Sequence, residues 1–480
     1  MSEQLLAGWG EADTTPDSED IELAGQYYQR LARGIHSRLK AVALVIEQAD
    51  KRTVMVSLDV AGVPEEFCLY MQNIISAKMP NIPANRIIFS ATHTHTAPDI
   101  RIRKDWRKSG LEPKAIEEFR DLVEAKVLKS VEQAWSSRQP AGVSNVLDFA
   151  RLGHCRRAVY SDDTAEMYGR TDRDDFVGME GGEDSGVDLF FFFDRECKPT
   201  GVIVNVACPS QVMEATYQIS SDYMGTLREK LKQEFGDDFR TLTQVSAAGC
   251  QSPRDLSRSY KGEADFWHED GLELASDRLL DAVKRGYSKA AGNIVYAAEL
   301  RHATEKIELP RRRASYSDYI KAKSNIGRLS AIWDTEDAFK DFCDEVHKNE
   351  RIAGRPGPYD SKLHDFVKTK NSEAVVRRYE DQEEQPNFAV ELHVVRIGDV
   401  VFATNPFELF LVFGHQIKAR SRARQTFLIQ LANGIGGYLP SERAERLGGY
   451  GGLIINGQVG SDGGKKLADE TVSAIERLYT

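Results

Sequence analysis

The stretch Arg86-Ile87-Ile88-Phe89-Ser90-Ala91-Thr92-His93-Thr94-His95-Thr96-Ala97-Pro98 carries an apolar run directly into a polar motif. Within residues 86–90, Ile87, Ile88 and Phe89 are apolar and two of them are β-branched, which predicts a short buried strand. Upstream, residues 41–48 and 53–60 have the same character, and residues 64–78 show helical spacing of apolar positions. Because ligand sites in open α/β sheets lie at the carboxyl ends of strands, this order predicts a site at His93-Thr94-His95.

Segments with strand and helix patterns recur along the rest of the chain. The predicted strands cover residues 188–194, 202–208, 241–247, 388–396 and 399–404, the predicted helices cover residues 115–137 and 263–285, and residues 314–380 are charged and mostly helical. A glycine-rich tail follows over residues 434–464. Because no internal repeat or low-complexity linker interrupts the pattern, we predict one domain over residues 1–480 with a mostly helical insertion over residues 305–385.

Charge balance and cysteine content argue against several classes of protein. The 480 residues include 63 Lys and Arg against 74 Asp and Glu, a net charge of −11, whereas nucleic-acid binding needs a cationic surface. Six cysteines without a CxxC pair argue against a disulfide framework. With no apolar stretch of about 18 residues and no basic amino-terminal region, we expect neither a transmembrane segment nor a signal peptide, and we predict a cytoplasmic protein. The expected partners are a small-molecule substrate and further copies of the chain.

His93 and His95 give the strongest chemical signal in the sequence. In an extended segment, residues two apart point to the same side, so both imidazoles can face one metal ion or one substrate. A catalytic zinc usually takes three protein ligands and a water, so further ligands would have to come from other segments. The alternative is a pair of histidines that form hydrogen bonds within a polar strand end.

Two later segments also place chemically useful groups after predicted strands. Ala247-Ala248-Gly249-Cys250-Gln251-Ser252-Pro253 is a turn of small residues, in which Ser252 is a nucleophile, an oxyanion donor or a turn serine before proline. Glu408 lies among apolar neighbours, which favours a metal ligand or acid–base group, and the alternative is a carboxylate that caps a helix. The chain has no P-loop, no GxGxxG after a strand, no HExxH and no EF-hand loop, so nucleotide and zincin sites lack support.

Together, these segments resemble the catalytic domain of neutral/alkaline non-lysosomal ceramidases. The stretch Ser90-Ala91-Thr92-His93-Thr94-His95-Thr96-Ala97-Pro98 is very close to that family's THTHSxP signature. The other matching segments, in chain order, are Gly8-Trp9-Gly10-Glu11-Ala12-Asp13-Thr14-Thr15-Pro16, Ser57-Leu58-Asp59, Gly249-Cys250-Gln251-Ser252-Pro253, Phe407-Glu408, Gly437-Tyr438 and Tyr450. The resemblance implies an α/β fold of the layered α-β-β-α type, with central mixed β-sheets flanked by helices. We do not expect the family's carboxy-terminal immunoglobulin-like domain within these residues.

The resemblance also implies roles for single residues. In the family a zinc ion is held by two histidines, a glutamate and a tyrosine, and the positions that match here are His93, Glu408 and Tyr438. Zinc is therefore the expected cofactor, and the alternatives are a weakly bound metal, a site in which His95 replaces the second histidine, or a site without metal. The catalytic residues that the resemblance implies are His95, Ser252, Tyr450 and Arg157. The family's second zinc histidine lies in a strand-end segment, but residues 206–211 contain no histidine and end at Gln211, which we predict to bind substrate.

Three functions are compatible with these residues. The first is a hydrolase that cleaves, with metal assistance, an amide or ester in a small polar or amphiphilic substrate rather than ceramide. The second is a metal-independent glycoside hydrolase with paired carboxylates, chiefly Glu408 and Asp222, with Asp59 and Asp184 as further candidates. The third is a non-catalytic binding protein. Aromatic and cationic candidates for substrate binding are Tyr168, Tyr223, Trp267, Tyr438 and Arg156.

Overall fold

A computed structural model describes residues 4–17, 21–25, 30–101, 113–258, 268–332, 334–350 and 364–480 of the chain. Its strands, in chain order, are β1 (Leu6–Asp13), β2 (Glu22–Leu23), β3 (Arg30–Leu31), β4 (Lys40–Gln48), β5 (Lys51–Leu58), β6 (Ile87–Ala91), β7 (Gln139–Pro140), β8 (Gly142–Phe149), β9 (His154–Cys155), β10 (Arg157–Tyr160), β11 (Ala165–Met167), β12 (Phe176–Met179), β13 (Gly186–Phe193), β14 (Pro199–Val206), β15 (Arg240–Val245), β16 (Gln251–Ser252), β17 (Leu300–Pro310), β18 (Asn387–Ile397), β19 (Val400–Thr404), β20 (Phe407–Leu409), β21 (Gln425–Ile429) and β22 (Gly437–Leu439). Its helices are α1 (Glu65–Lys78), α2 (Pro113–Ser136), α3 (Asp222–Phe235), α4 (His268–Ala290), α5 (Tyr316–Ser330), α6 (Thr335–Glu350), α7 (Asp365–Asp381), α8 (Leu411–Arg420), α9 (Glu442–Leu447) and α10 (Ser461–Arg477).

The first sheet is built around the two strands predicted upstream of the histidine motif, in the order β6-β5-β4-β1-β7. β4 and β5 pair in antiparallel fashion, and β5 pairs in parallel with β6 after the crossover through α1. The carboxyl ends of this parallel pair, Leu58 and Ala91, face each other in register. The segments that follow β5 and β6 therefore leave the sheet side by side.

Two further mixed sheets have the orders β15-β14-β13-β8 and β17-β18-β19-β21. Each contains one parallel pair, β14 with β15 and β19 with β21. Gln211 lies in the loop after β14, Ser252 lies in the short strand β16 that follows β15, and the segment after β19 leads to Glu408. The carboxyl ends of strands in all three sheets thus supply the polar segments that the sequence singled out.

The core consists of layers. Aromatic and aliphatic side chains from all three sheets form one buried cluster, in which Phe190 of β13 contacts Phe402 of β19 and Phe427 of β21 edge to face. A second cluster joins the first sheet to α1 and α2, a third joins β13 and β14 to α3 and α4, and a fourth joins β18 and β19 to α8 and α10. This arrangement of mixed sheets flanked by helices confirms the predicted fold class.

The boundaries of the helical segment differ from the predicted insertion over residues 305–385. Helices α5, α6 and α7 lie between Tyr316 and Asp381, whereas residues 305–310 belong to β17, which pairs with β18 along its whole length. Most residues of β17 are partly exposed, so the strand lacks the apolar run by which the other strands were recognised. Among the residues that the structure describes, no helix combines the length and apolar character of a membrane-spanning segment.

Candidate active site

His93 follows β6 in a strained backbone conformation. Its φ is +63°, a region that residues with a Cβ rarely adopt and that concentrates at functional sites. The main-chain amide of His93 donates to the oxygen of Val60, and its ring Nδ1 lies 2.5 Å from the oxygen of Ala61. Because a carbonyl only accepts, Nδ1 carries a proton and Nε2 faces the site. There Nε2 lies 3.5 Å from Oε2 of Glu408.

His95 lies beside His93 and contacts a different set of polar side chains. The two Nε2 atoms are 3.4 Å apart. Nε2 of His95 is 2.8 Å from Nε2 of Gln211, and its Nδ1 is 3.3 Å from Oε2 of Glu214. Burial, together with the neighbouring His93, holds the pKa of His95 well below its ordinary value, so the imidazole is neutral at neutral pH.

Arg156 provides a buried positive charge at the same place. Its guanidinium donates to Oε1 of Gln211 at 3.2 Å, to the oxygen of Gly249 at 2.9 Å and to the hydroxyl of Tyr438 at 3.1 Å. It also lies 3.7 Å from Oε2 of Glu408. Burial alone would lower the pKa of Arg156, but Tyr438, Tyr168 and Glu408 raise it well above the ordinary value, so the group stays charged.

Glu408 and Tyr438 are neighbours because β20 and β22 pair in parallel with these two residues in register. Burial opposes ionisation of Glu408, but His93 and Arg156 outweigh it and hold the pKa of the carboxyl below its ordinary value. Burial raises the pKa of Tyr438 well above its ordinary value, so this phenol remains protonated. The Tyr450 ring meets the Tyr438 ring edge to face, with centroids 5.4 Å apart.

These side chains line one cavity. It brings together eight of the residues predicted from the sequence, namely His93, His95, Arg156, Tyr168, Gln211, Glu408, Tyr438 and Tyr450. The other lining residues are Gly25, Ala61, Gly62, Arg101, Met167, Glu214, Leu431 and Ile435. Segments far apart in the chain therefore deliver two imidazoles, two carboxylates, two guanidinium groups and three phenols to one place.

Two predicted catalytic residues lie behind the cavity wall. Ser252 is fully buried, and its Oγ accepts hydrogen bonds from the Tyr168 hydroxyl at 3.2 Å and from the main-chain amide of Arg254 at 3.1 Å. Arg157 is also fully buried and donates to Glu180 and to the main-chain oxygens of Gly448 and Tyr450. Ser252 thus contacts the phenol of Tyr168, which lines the cavity. Arg157 contacts the turn that carries Tyr450.

Asp222 and Tyr223 lie at the start of α3 and do not line the cavity. The Asp222 carboxylate accepts from the main-chain amides of Met213 and Tyr223, both at 2.8 Å. The Tyr223 hydroxyl donates to the main-chain oxygen of Cys208 at 2.7 Å. Both side chains hold the ends of the loop that carries Gln211 rather than facing a bound molecule.

The carboxylates considered for glycoside hydrolysis are mostly dispersed. Asp59 is buried against Arg228, and Asp184 lies 3.5 Å from the ammonium of Lys418. Of the four carboxylates proposed, Glu408 lines the cavity. Trp267 lies outside the described residues.

Glu214 and Arg30 belong to the site but were not predicted. Glu214 is 1% exposed, and it is the only charged residue between Val206 and Ser221. That isolation is a usable signal, because a lone carboxylate in an apolar and neutral segment is costly to bury unless it has a partner. Arg30 is fully buried and donates to main-chain oxygens of Ala24, His95, Glu214 and Thr216. Its sequence neighbourhood carries no comparable signal.

The zinc centre that the resemblance implies does not fit this arrangement. Contacts run in series from His95 to His93 to Glu408, and no group of three or more His, Cys, Asp or Glu side chains in the described part of the chain is placed to hold one ion. The Arg156 guanidinium already contacts Tyr438 and Glu408, the two oxygen ligands expected for zinc. Like charges about 4 Å apart at a protein site repel by several kcal/mol, so this guanidinium opposes a divalent cation there.

Comparisons with known proteins agree with the resemblance at the level of the fold. No family model matches the chain. The crystal structure of neutral ceramidase from Pseudomonas aeruginosa superposes with a TM-score of 0.69 at 18% identity, covering 99% of this chain and 75% of the ceramidase chain. A structure described as ceramidase complexed with C2 gives a TM-score of 0.68 at 18% identity, covering 99% of this chain and 76% of that one. The chain therefore has the fold of a neutral ceramidase, as its ordered sequence motifs predicted.

Proposed function

We propose that this chain hydrolyses an amide or ester bond in a small polar or amphiphilic substrate. The observation that carries the proposal is the convergence of His95, Arg156 and Tyr438 on one cavity, on a scaffold shared with hydrolases of the ceramidase type. These groups are a neutral imidazole, a fixed positive charge and a protonated phenol. Acyl hydrolysis needs a base for water, a cationic or hydrogen-bonding site for the oxyanion, and a proton donor for the leaving group.

The proposed steps use these side chains in turn. A water molecule takes the place of the Gln211 amide at Nε2 of His95 and gives a proton to that nitrogen, while the water oxygen adds to the carbonyl carbon of the substrate. The resulting oxyanion is stabilised by the Arg156 guanidinium and by the hydroxyl of Tyr438. The bond to the leaving group then breaks, and the protonated His95 returns its proton to the departing amine or alcohol. No step requires a metal ion.

The character of the cavity wall supports the substrate class. Met167, Leu431 and Ile435 supply apolar surface beside the polar groups. Burial raises the pKa of Tyr168 to about 12, so its hydroxyl is a hydrogen-bond donor throughout the physiological range. A molecule with a short apolar part next to a polar acyl group would match both features.

A chromogenic panel of N-acyl amides, carboxylic esters and glycosides tests the proposal. We expect turnover of acyl compounds by the purified protein, and a loss of about 100-fold or more in kcat for His95→Gln, the size expected for removal of a general base. The exposed His36→Asn serves as the control and should retain full activity. Absence of acyl turnover, or wild-type turnover by His95→Gln, contradicts the proposal.

The same panel addresses a second candidate function, glycoside hydrolysis. Glu214 and Glu408 both line the cavity, and a glycosidase needs two carboxylates, one as acid and one as base or nucleophile. Cleavage confined to glycosides, and abolished by Glu408→Gln, would favour this alternative. Cleavage confined to acyl compounds would exclude it.

Metal dependence is tested separately, because the proposed steps use none. Elemental analysis of protein purified in metal-supplemented medium should show zinc well below one equivalent, and dialysis against a chelator should leave turnover unchanged. Stoichiometric zinc that is lost together with activity on chelation, and recovered on readdition, would instead support metal-assisted hydrolysis.

A further inference from the structure

We propose that Gln211 is the positioning residue of His95, and that its side-chain amide keeps the imidazole in the tautomer that acts as the base; this rests on the role given to His95 in the proposed function. Gln211 is 1% exposed and lies in the loop between β14 and α3. It lines the cavity, where its Nε2 is 2.8 Å from Nε2 of His95. The two residues are 116 positions apart in the chain.

Arg156 determines which way the Gln211 amide points. The guanidinium is itself fixed, because it donates to the main-chain oxygen of Gly249 at 2.9 Å and to the hydroxyl of Tyr438 at 3.1 Å. A guanidinium has only donors, so the Gln211 atom 3.2 Å from it is the amide oxygen. The amide nitrogen therefore points at His95, and it can only donate. Nε2 of His95 accepts this bond, and the proton of the neutral ring lies on Nδ1.

The other neighbours of the His95 ring do not provide a hydrogen bond that would place the proton there. Nε2 of His93 lies 3.4 Å from Nε2 of His95. When the His93 ring is neutral, this atom carries a lone pair, because the proton is on Nδ1, which faces the main-chain oxygen of Ala61. It would accept from a proton on Nε2 of His95, which is the opposite tautomer. Nδ1 of His95 has no hydrogen-bond partner in the described part of the chain, since the Glu214 carboxylate, 3.3 Å away, lies outside hydrogen-bonding geometry.

Only the tautomer with the proton on Nδ1 suits the proposed step. Its lone pair on Nε2 faces the cavity, where a water molecule replaces the amide by donating to the same nitrogen. Because one donor replaces another, the exchange leaves the first proton on Nδ1. Nδ1 could not serve as the base in its place, because it is buried against Gly25, where an added Cβ would lie 2.6 Å from it.

Two substitutions change the group that faces Nε2 of His95. Gln211→Glu presents a carboxylate, which accepts from Nε2 and still provides an acceptor for Arg156. Gln211→Met removes the donor at similar side-chain length and adds no charge. Gln48→Met is the matched control, because this buried glutamine also donates through Nε2, to the main-chain oxygen of Ala298, and it lies outside the cavity.

The first readout does not depend on turnover. In protein labelled with ¹⁵N in histidine, the His95 signals are identified by their loss in His95→Gln, and their shifts show which ring nitrogen carries a proton. We expect the Nδ1–H form alone in the wild type and in Gln48→Met, a proton on Nε2 in Gln211→Glu, and a mixture of both tautomers in Gln211→Met. An unchanged Nδ1–H form in either Gln211 variant overturns the proposal, because another neighbour would then set the tautomer.

Turnover gives the second readout. We expect kcat to fall by about 100-fold in Gln211→Glu, the size expected when a general base is lost. In Gln211→Met, kcat should fall in proportion to the fraction of His95 that keeps its proton on Nδ1, and Gln48→Met should keep the wild-type kcat. Wild-type kcat in Gln211→Glu contradicts the proposal.

The two readouts also separate this proposal from the proposed function. If no acyl compound is cleaved, the proposed function fails, while the nitrogen shifts still decide whether Gln211 sets the tautomer of His95. If Gln211→Glu does not fold, Gln211→Met still decides by the same shifts.

Discussion

At the scale of single residues, three of the nine residues other than glycine that have a positive φ in the described part of the chain line the cavity. His93, Tyr168 and Leu431 all line it, and all have positive φ, at +63°, +54° and +53°. Each left-handed residue with a Cβ costs about 1–2 kcal/mol, which packing elsewhere must offset. Such strain persists where the position of a side chain matters more than local stability, and here it directs an imidazole and a phenol into the cavity.

His93 can be tested without disturbing that backbone. Asn adopts the left-handed region more readily than most residues, so His93→Asn should fold normally while it removes the ring nitrogen that faces Glu408. We expect circular dichroism and the thermal midpoint to stay near wild type and kcat/KM to fall by about 100-fold. His36→Asn is the control. A fully active His93→Asn would show that the contact with Glu408 is dispensable.

Asp222 should leave a signature in the pH dependence of stability. Burial raises the pKa of its carboxyl from 3.8 to about 6, despite hydrogen bonds from the amides of Met213 and Tyr223. Between about pH 4 and about pH 6 the native carboxyl therefore holds a proton that the unfolded chain has released. The contribution of Asp222 to the free energy of unfolding is thus fully present below about pH 4 and falls as the pH rises through this window. The total loss is about 3 kcal/mol, and the contribution is constant at higher pH.

Urea unfolding of wild type and Asp222→Asn at several pH values checks this expectation. Asn tolerates the left-handed backbone at this position, where φ is +56°, but it cannot ionise. The stability of the wild type relative to the variant should fall by about 3 kcal/mol between pH 4 and pH 7. The exposed Asp237→Asn should run parallel to wild type. A difference between wild type and Asp222→Asn that does not vary with pH would place the pKa of Asp222 near its ordinary value.

At the scale of elements, the buried pair of Arg157 and Glu180 joins two strands to the turn that carries Tyr450. Arg157 begins β10, Glu180 directly follows β12, and the guanidinium also donates to main-chain oxygens of the turn. Arg157→Met leaves the Glu180 carboxylate buried without its partner, which costs about 3–5 kcal/mol in comparable cases. The double variant with Glu180→Met should be more stable than Arg157→Met alone, because both charges are gone.

Chemical denaturation of the two single variants and the double variant measures this coupling. Activity gives a separate readout. Both variants that lack Arg157 should lose turnover, since the Gly448–Tyr450 turn loses its anchor whatever the stability. Additive stabilities of the single variants would mean that the two side chains act independently.

Which elements could be predicted depended on where their apolar residues fall. Four strands are buried along most of their length, and their runs of β-branched and aromatic residues made them predictable from the sequence. These strands are β4, β5, β13 and β14. β17 is exposed or only partly buried at eight of its 11 positions and lacks such a run. Its partner β18 lies far away in sequence, so long-range pairing determines its structure. Sequence periodicity could not report that pairing.

The residues of the site also fall into those that the sequence could predict and those that it could not. His93 and His95 could be predicted because a compact motif follows a strand end, and Glu408 and Tyr438 because they match segments of a known family. Glu214 lies in a loop with no motif, and its place in the cavity beside His95 arises only in three dimensions. Arg157 was predicted as a catalytic residue and Arg156 as a substrate-binding residue. Because adjacent residues of an extended segment point to opposite sides, only one of the two side chains can face the cavity, and Arg156 is the one that lines it.

At the scale of the whole molecule, the cavity depends on a core that no single sheet contains. The cluster around Phe190 draws side chains from all three sheets, and the loops at their carboxyl ends meet only while the sheets remain packed together. Phe190 is 1% exposed and contacts Phe192, Phe402 and Phe427 at ring-centroid distances of 5.3, 5.4 and 6.2 Å. Damage to this cluster should therefore weaken the three sheets and the cavity together.

Phe190→Ala should lower the free energy of unfolding by about 3–5 kcal/mol, through lost burial and the cavity it leaves. Because the three sheets share this core, circular dichroism and loss of turnover should shift to lower urea by the same amount, while kcat below the transition stays near wild type. Phe149→Ala, in the neighbouring strand β8 but 61% exposed, should change neither midpoint by more than about 0.5 kcal/mol. Loss of turnover at a urea concentration where the dichroism signal is still native would mean that the cavity opens before the sheets separate, and the common core would then not be what holds the site together.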